Sequence, residues 1–172
     1  MPKGLYEKEI AISLRLNDDI NYCLPAKIDI KRKTNFLPRS KNGKTMISWD
    51  WNSEDHRGAY GYPHPVDSHI YRKEWLIKML ENAQFDNPCS MEIWMNNHRD
   101  HNYPDLSCFK EQKLISICAN ELGQGANNST QGISVKELNH RWLGGERIKY
   151  DIRGRSFPQC HIYYDYQFER DK

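Results

Sequence analysis

Between Ser68 and Asn97 the hydrophobic period of the chain changes from that of a strand to that of a helix and is then broken once, and that pattern limits the folds open to it. The segment begins SHIYR, a short β-type run from Ser68 to Arg72. It then enters a stripe of Trp75, Leu76, Met79, Leu80 and Ala83 at helical spacing, which predicts a helix over about 73–83. Asp86-Asn87-Pro88 breaks that helix. Pro88 suits a first helical position and Asn87 an N-cap, so a second helix is predicted over Pro88 to Asn97. A strand feeding two helices belongs in a layered α/β or α+β domain, and the pattern leaves its topology open.

The flanking segments add strands. KEIAISLRL (8–16) alternates, with Ile10, Ile12, Leu14 and Leu16 on one face, which predicts a half-buried strand. Asn17-Asp18-Asp19 is a turn, and Ile20 to Leu24 reads as the partner strand. Residues 25–43 read as a loop. TMISWDW (45–51) is a second clear strand, and Leu106 to Phe109 and Leu114 to Ala119 are two more. Residues 120–132 are polar and glycine-rich, hence a loop. SVKE at 134–137 is a capping box that opens a third helix, with Val135, Leu138, Trp142 and Leu143 as its apolar face and Gly144-Gly145 as its stop. A last strand is predicted from His161 to Phe168. With 172 residues the chain is long enough for one domain with a real core, and it reads as a single domain over 1–172.

Composition removes several functional classes. Mean hydropathy is −0.89 and no apolar run approaches the roughly 20 residues of a membrane-spanning helix. The start, MPKGLYEKEI, has no apolar stretch of the kind a signal peptide needs, so a cytoplasmic location is expected. A net charge of +2 gives no electrostatic case for nucleic acid, and the basic run KIDIKRK (27–33) reads as a solvated edge or loop. Five cysteines, an odd number without a CxxC, read as reduced thiols. His98-Arg99-Asp100-His101 would suit a metal-dependent hydrolase, but its polar setting reads as surface histidines, and no metal ligands are assigned.

The candidate chemistry gathers on the strand–helix–helix unit. Glu92 lies in the first turn of the second helix, where the positive end of the helix dipole stabilises a carboxylate. A carboxylate preorganised in this way can act as a general base toward a hydroxyl. Asp67, His69, Tyr71 and Arg72 lie on or beside the preceding strand. Trp49 and Trp51 share one face of theirs, with Asp50 on the other. They are either a core pair or a platform on which one ring stacks against a sugar or base while Asp50 bonds a hydroxyl.

These residues carry a resemblance. SHIYRKEWLIKMLENAQFDNPCSMEIW resembles the second half of GT-A nucleotide-sugar transferases. In that fold a strand ending in an aromatic and Arg leads to a helix, a Phe-Asp phrase and an acid opening another helix. The corresponding positions are Tyr71-Arg72, Phe85-Asp86 and Glu92, with Ile93 where the family has an Asp. The phrases SLRLNDDINYC, YPHPVDSHIYR, NPCSME and SVKELNHRWLGGERI are similar to those of bacterial glycosyltransferase-like proteins, in the same order, and cover most of the chain from Ser13 to Phe168. Those proteins usually have Gly where this chain has Ser68.

The resemblance implies an α/β fold with a mixed sheet and about three helices. It implies a nucleotide-sugar donor, a hydroxyl-bearing glycan acceptor, Glu92 as base and Asp67 on sugar hydroxyls. His69 or Arg72 would approach the diphosphate, and Tyr71, Trp49, Asp50 and Trp51 would complete the pocket. It also implies an N-terminal nucleotide-binding half closed by an Asp-x-Asp that holds Mg²⁺ or Mn²⁺. No Asp-x-Asp occurs in the sequence. The chain alone is therefore expected to bind sugar nucleotide weakly or not at all, with a separate polypeptide supplying that half or a homo-oligomer covering the exposed surface. The alternative is a non-catalytic carbohydrate- or protein-binding remnant of the fold.

Overall fold

The computed structural model describes residues 7–24, 26–30, 35–41, 43–117, 132–149, 162–163 and 166–170. In chain order the strands are β1 (Glu9–Ser13), β2 (Tyr22–Cys23), β3 (Ile28–Asp29), β4 (Leu37–Lys41), β5 (Lys44–Asp50), β6 (His69–Tyr71), β7 (Asp105–Phe109), β8 (Ser116–Ile117), β9 (Glu146–Lys149), β10 (Ile162–Tyr163) and β11 (Gln167–Arg170). The helices are α1 (Lys73–Leu80), α2 (Pro88–Asn97) and α3 (Val135–Leu143). The class is α/β. A mixed sheet of order β4-β5-β7-β1-β6 holds the core, with β1 and β7 parallel and the other pairs antiparallel.

One interior strand, β1, departs from expectation. All five residues of β1 are buried, including Glu9 and Ser13. Flanked by β7 and β6 and covered on both faces, β1 is not half-buried, and its polar positions find partners inside: the Ser107 hydroxyl donates to the Glu9 carboxylate. The expected partner of β1 also differs. Residues 22–23 pair with β3 instead, and the turn before them is tied down by the Tyr60 hydroxyl, which donates to the Asn17 carbonyl at 2.6 Å.

Residues 25–43 are not all loop. β4 forms an edge hairpin with β5 through a turn at Gly43, whose φ of +73° suits glycine. Asn-Gly at 42–43 is a turn signal for such a hairpin, and Pro38 is tolerated because β4 is an edge.

β5 carries Trp49 into the core, where Tyr60 and Phe36 meet its ring edge-on and its indole N–H donates to the Tyr60 carbonyl at 2.9 Å. Trp51 leaves the strand in a 3-10 turn and donates to the Tyr103 carbonyl at 2.8 Å. Both indoles are 1% exposed.

α1 ends at Leu80, earlier than its stripe suggests. It buries Trp75 and packs Leu76, Met79 and Leu80 against the core. α2 begins as the sequence predicts. The Asn87 side chain accepts from the Ser90 N–H at 2.9 Å, while the Ser90 hydroxyl accepts from the Asn87 N–H at 3.2 Å. In α3 the Ser134 hydroxyl accepts from the Glu137 N–H at 3.0 Å. Its apolar face is not buried among the described residues, for Val135, Trp142 and Leu143 are 52%, 58% and 75% exposed. Arg147 lies over the Trp142 ring and Arg141 over Phe168.

The expected loop at 120–131, the strand residues 118–119 and His161 lie outside the described residues, as do Cys118 and Cys160. Cys23, Cys89 and Cys108 are free thiols.

Candidate functional site

The loop from Tyr62 to Ser68 enters β6 at the edge where the parallel strands β1 and β7 end. In open α/β sheets that edge is where ligands bind. The loop is fixed from two sides. From α2, the Glu92 carboxylate accepts the Tyr62 hydroxyl through Oε1 and the Val66 N–H through Oε2, each at 2.8 Å. Asn96, one turn on, donates its side-chain amide to the His64 carbonyl at 3.1 Å. From β6, the Tyr71 hydroxyl donates to the Pro65 carbonyl at 2.5 Å. Burial first, and then the Glu92 charge, raise the Tyr62 hydroxyl well above its ordinary pKa, so it remains a donor. Burial does the same for Tyr71.

On the other side of the loop stands Asp67. Arg15, just past the end of β1, donates from Nη1 to Asp67 Oδ1 at 2.8 Å, and the Ser116 hydroxyl donates to Oδ2 at 2.5 Å. The Arg15 side chain is 9% exposed and that of Asp67 44%, so a buried cation holds a carboxylate that solvent and ligand can reach. Gln112 completes the support by donating to the Arg15 carbonyl at 2.8 Å. The Arg15 Nε, the His69 Nε2 and the Gln112 Oε1 are buried and have no hydrogen-bond partner among the described residues.

Two features bear on how this edge works. His69 donates from Nδ1 to the Asp67 carbonyl at 3.1 Å. Burial, helped by the Arg15 charge, lowers its pKa to about 3, so near neutrality the ring is uncharged and Nε2 is an acceptor. Ser68 has φ +58°, the left-handed region that favours glycine, and its carbonyl accepts from the Leu14 N–H at 2.8 Å. A glycine at this position would adopt the same conformation without strain. Ser68→Gly should raise stability by about 1 kcal/mol, read as a higher urea midpoint; an unchanged or lower midpoint would show that the serine carries no strain.

The residues singled out from sequence thus divide. Asp67 and His69 come together, with Arg15 and Ser116, which the sequence reading missed. Glu92 and Tyr71 meet the same loop from behind. Arg72 lies toward the opposite end of β1: its guanidinium donates to the Glu7 and Glu9 carbonyls at 3.3 Å and covers the Tyr103 ring. The cation beside Asp67 is Arg15, not Arg72. Trp49 and Trp51 are in the core and offer no ring face to a ligand. The Asp50 carboxylate caps the 3-10 turn by accepting the Asn52 N–H at 2.9 Å.

No family model, curated protein or solved structure matches this chain.

Among the described residues no three His, Cys, Asp or Glu side chains are grouped to hold a metal ion. The donor set at Asp67 does not suit a divalent cation either. Both carboxylate oxygens are engaged, and the adjacent charge is an arginine. No helix among the described residues is long and apolar enough to cross a membrane.

A second buried histidine gives a pH prediction. His64 is 0% exposed, lies against Trp75 and Trp51, and is lowered to about 4 by burial. The folded pKa values of His64 and His69 lie below the ordinary 6.5. The unfolded chain therefore binds more protons as pH falls, and stability is full above about 6.5 and is lost toward pH 4. Each histidine adds a slope of up to about 1.4 kcal/mol per pH unit in that window. Urea unfolding at a series of pH values should show the decline, reduced in His64→Phe. A flat profile in the wild type would mean that neither ring is held neutral.

Proposed function

We propose that this chain carries the acceptor-side site of a nucleotide-sugar transferase, and that Asp67 is the carboxylate that meets the reacting hydroxyl. The observation that carries the reading is the reachable Asp67 carboxylate, fixed by buried Arg15 at the end of the parallel pair. In the proposed step Asp67 accepts the proton of an acceptor hydroxyl as its oxygen attacks the anomeric carbon. The bond from that carbon to the nucleoside diphosphate breaks, and the diphosphate leaves with the electron pair. Positioning and electrostatics provide most of the acceleration in such a step.

Glu92 takes a different role from the one its place in α2 first suggests. Each Glu92 oxygen accepts one bond from the loop, as each Asp67 oxygen accepts one from Arg15 or Ser116; what favours Asp67 is its 44% exposed side chain beside the buried Arg15, and Glu92 is read as the residue that positions its loop. The ordered motif resemblance supports sugar transfer over a plain hydroxyl-binding module.

Calorimetry with UDP-, GDP- and CMP-sugars and Mn²⁺, and separately with neutral oligosaccharides, tests the reading. Saturable heat with an oligosaccharide, at least tenfold weaker in Asp67→Asn, is expected. Donor heat should be weak for this chain. Tight donor binding with Asp67→Asn indistinguishable from wild type would remove Asp67 from the site. Oligosaccharide binding that ignores Asp67 would do the same. In an active assembly Glu92→Gln should lower kcat less than Asp67→Asn.

A further inference from the structure

The edge that holds Asp67 continues into a basic corner that the proposed transfer step does not use. β5 begins at Lys44, just beyond the end of β7, because Met46 and Phe109 are register partners in that antiparallel pair. The Lys110 N–H donates to the Thr45 carbonyl at 3.2 Å, which extends the β5–β7 pairing one residue past Phe109. The Lys113 N–H then reaches the Leu14 carbonyl at 2.8 Å. These bonds bring two ammonium groups to one aromatic ring, with the Lys44 Nζ 5.9 Å and the Lys113 Nζ 5.7 Å from the centre of Phe109.

Lys44, Thr45, Phe109, Lys110, Glu111 and Lys113 enclose a depression of about 340 Å³. Among the described residues that line it three are lysines and one is an acid, Glu111, whose carboxylate pairs with Lys113 at 3.0 Å. Like charges on one depression repel, and an anion seated among them relieves the repulsion. The chain's whole formal net charge is only +2, so this concentration is local and not a consequence of a generally basic surface.

The corner is joined to Asp67 through a few residues of the same segment. Gln112 donates to the Arg15 carbonyl and Ser116 to the Asp67 carboxylate. A ligand lying along the edge would therefore meet ammonium groups at one end and a hydroxyl-directed carboxylate at the other. Such a ligand needs acidic groups and hydroxyls on one chain. The half-buried Phe109 ring lies under the Lys44 and Lys113 ammonium groups and helps hold them at this corner.

We propose that the corner of Lys44, Lys110, Lys113 and Phe109 binds the acidic groups of an anionic glycan. Its role as the acceptor rests on the transfer reading above. The binding itself does not, and can be measured without any donor.

Affinity electrophoresis and calorimetry on the full chain test it, with oligogalacturonate (carboxylate), dextran sulfate (sulfate), dextran (neutral) and polyuridylate as probes. Oligogalacturonate or dextran sulfate should bind and weaken as salt rises, and dextran should not bind at this corner. The triple variant Lys44→Gln/Lys110→Gln/Lys113→Gln should lose about tenfold or more. A matched triple, Lys73→Gln/Lys78→Gln/Lys136→Gln, removes equal charge from exposed positions elsewhere and should keep binding within about twofold. The three single variants are measured beside the triple, and thermal unfolding checks that each is folded.

The proposal is overturned if neither acidic glycan binds, or if the matched triple loses as much as the corner triple. It is equally overturned if polyuridylate binds while the acidic glycans do not, which would mark a nucleic-acid surface. Retained oligogalacturonate binding with failed donor and oligosaccharide titrations would leave the corner standing and remove the transfer reading alone.

Discussion

Asp67→Ala should destabilise the fold more than Arg15→Met/Asp67→Ala does. The reason is the unequal burial of the pair. Arg15 is 9% exposed at its side chain and Asp67 44%, so removing the acid leaves a largely desolvated guanidinium without its carboxylate. Breaking a wholly buried pair from one side costs about 3–5 kcal/mol. Solvent around Asp67 screens part of that, which brings the expected loss to about 2 kcal/mol. In the double variant the buried charge is gone as well, and methionine fills most of the arginine's volume, so about 1 kcal/mol or less should remain. Asp67→Asn keeps an acceptor for Arg15 and should fall between wild type and Asp67→Ala. Urea unfolding of wild type, Asp67→Ala, Arg15→Met and the double variant gives the coupling directly. A double variant less stable than Asp67→Ala, or an Asp67→Ala protein as stable as wild type, would show that Arg15 does not depend on this carboxylate.

That asymmetry also explains what could be read from the sequence and what could not. The start of α2 was legible because a cap is local: Asn87, Pro88 and Ser90 contain the whole device. β5 was legible from its alternation, and β6 from its aromatic-arginine end. The β4–β5 hairpin had a signal in Asn-Gly at 42–43, but the basic, proline-containing run around it reads as loop, and only edge position makes that composition compatible with a strand. The site itself was half legible. Asp67 and His69 stand near one another in sequence, whereas Arg15 lies 52 positions and Ser116 49 positions from Asp67. Nothing in a period or a cap links such distant residues. The link is the β1–β7 pairing and the turn after β7, both tertiary. Arg15 nonetheless left a trace, a charge on the polar register of a strand that runs into a sheet end. The same dependence on tertiary structure applies to Glu92: its place in the first turn of α2 can be read from the sequence, and only the fold reveals its bonds to Tyr62 and Val66.

Gly61→Ala should lower stability by about 3 kcal/mol, because the space for a side chain there is filled by backbone. An ideal Cβ on Gly61 would lie 2.3 Å from the Asp55 carbonyl oxygen, 2.6 Å from its carbon and 2.9 Å from the His56 nitrogen. The turn cannot easily retreat. The Gly58 N–H donates to that Asp55 oxygen at 2.8 Å, and the Asp55 carboxylate accepts the Arg57 N–H at 3.0 Å and its guanidinium at 2.8 Å. The strain would then pass to the neighbours of Gly61. Tyr60 and Ala59 are both buried, and the Tyr60 carbonyl is the acceptor for the Trp49 indole. For a chain of this size the loss corresponds to a Tm lower by roughly 6–12 °C. Gly58→Ala is the internal comparison: its Cβ would stand 3.2 Å from the same oxygen, so a smaller loss is expected. Tryptophan fluorescence, summed over the five tryptophans of the chain, follows unfolding in both variants. A Gly61→Ala protein that melts with the wild type would mean that the 55–61 turn yields freely. The Tyr60 and Trp49 contacts that join this turn to the sheet could then not be setting its position.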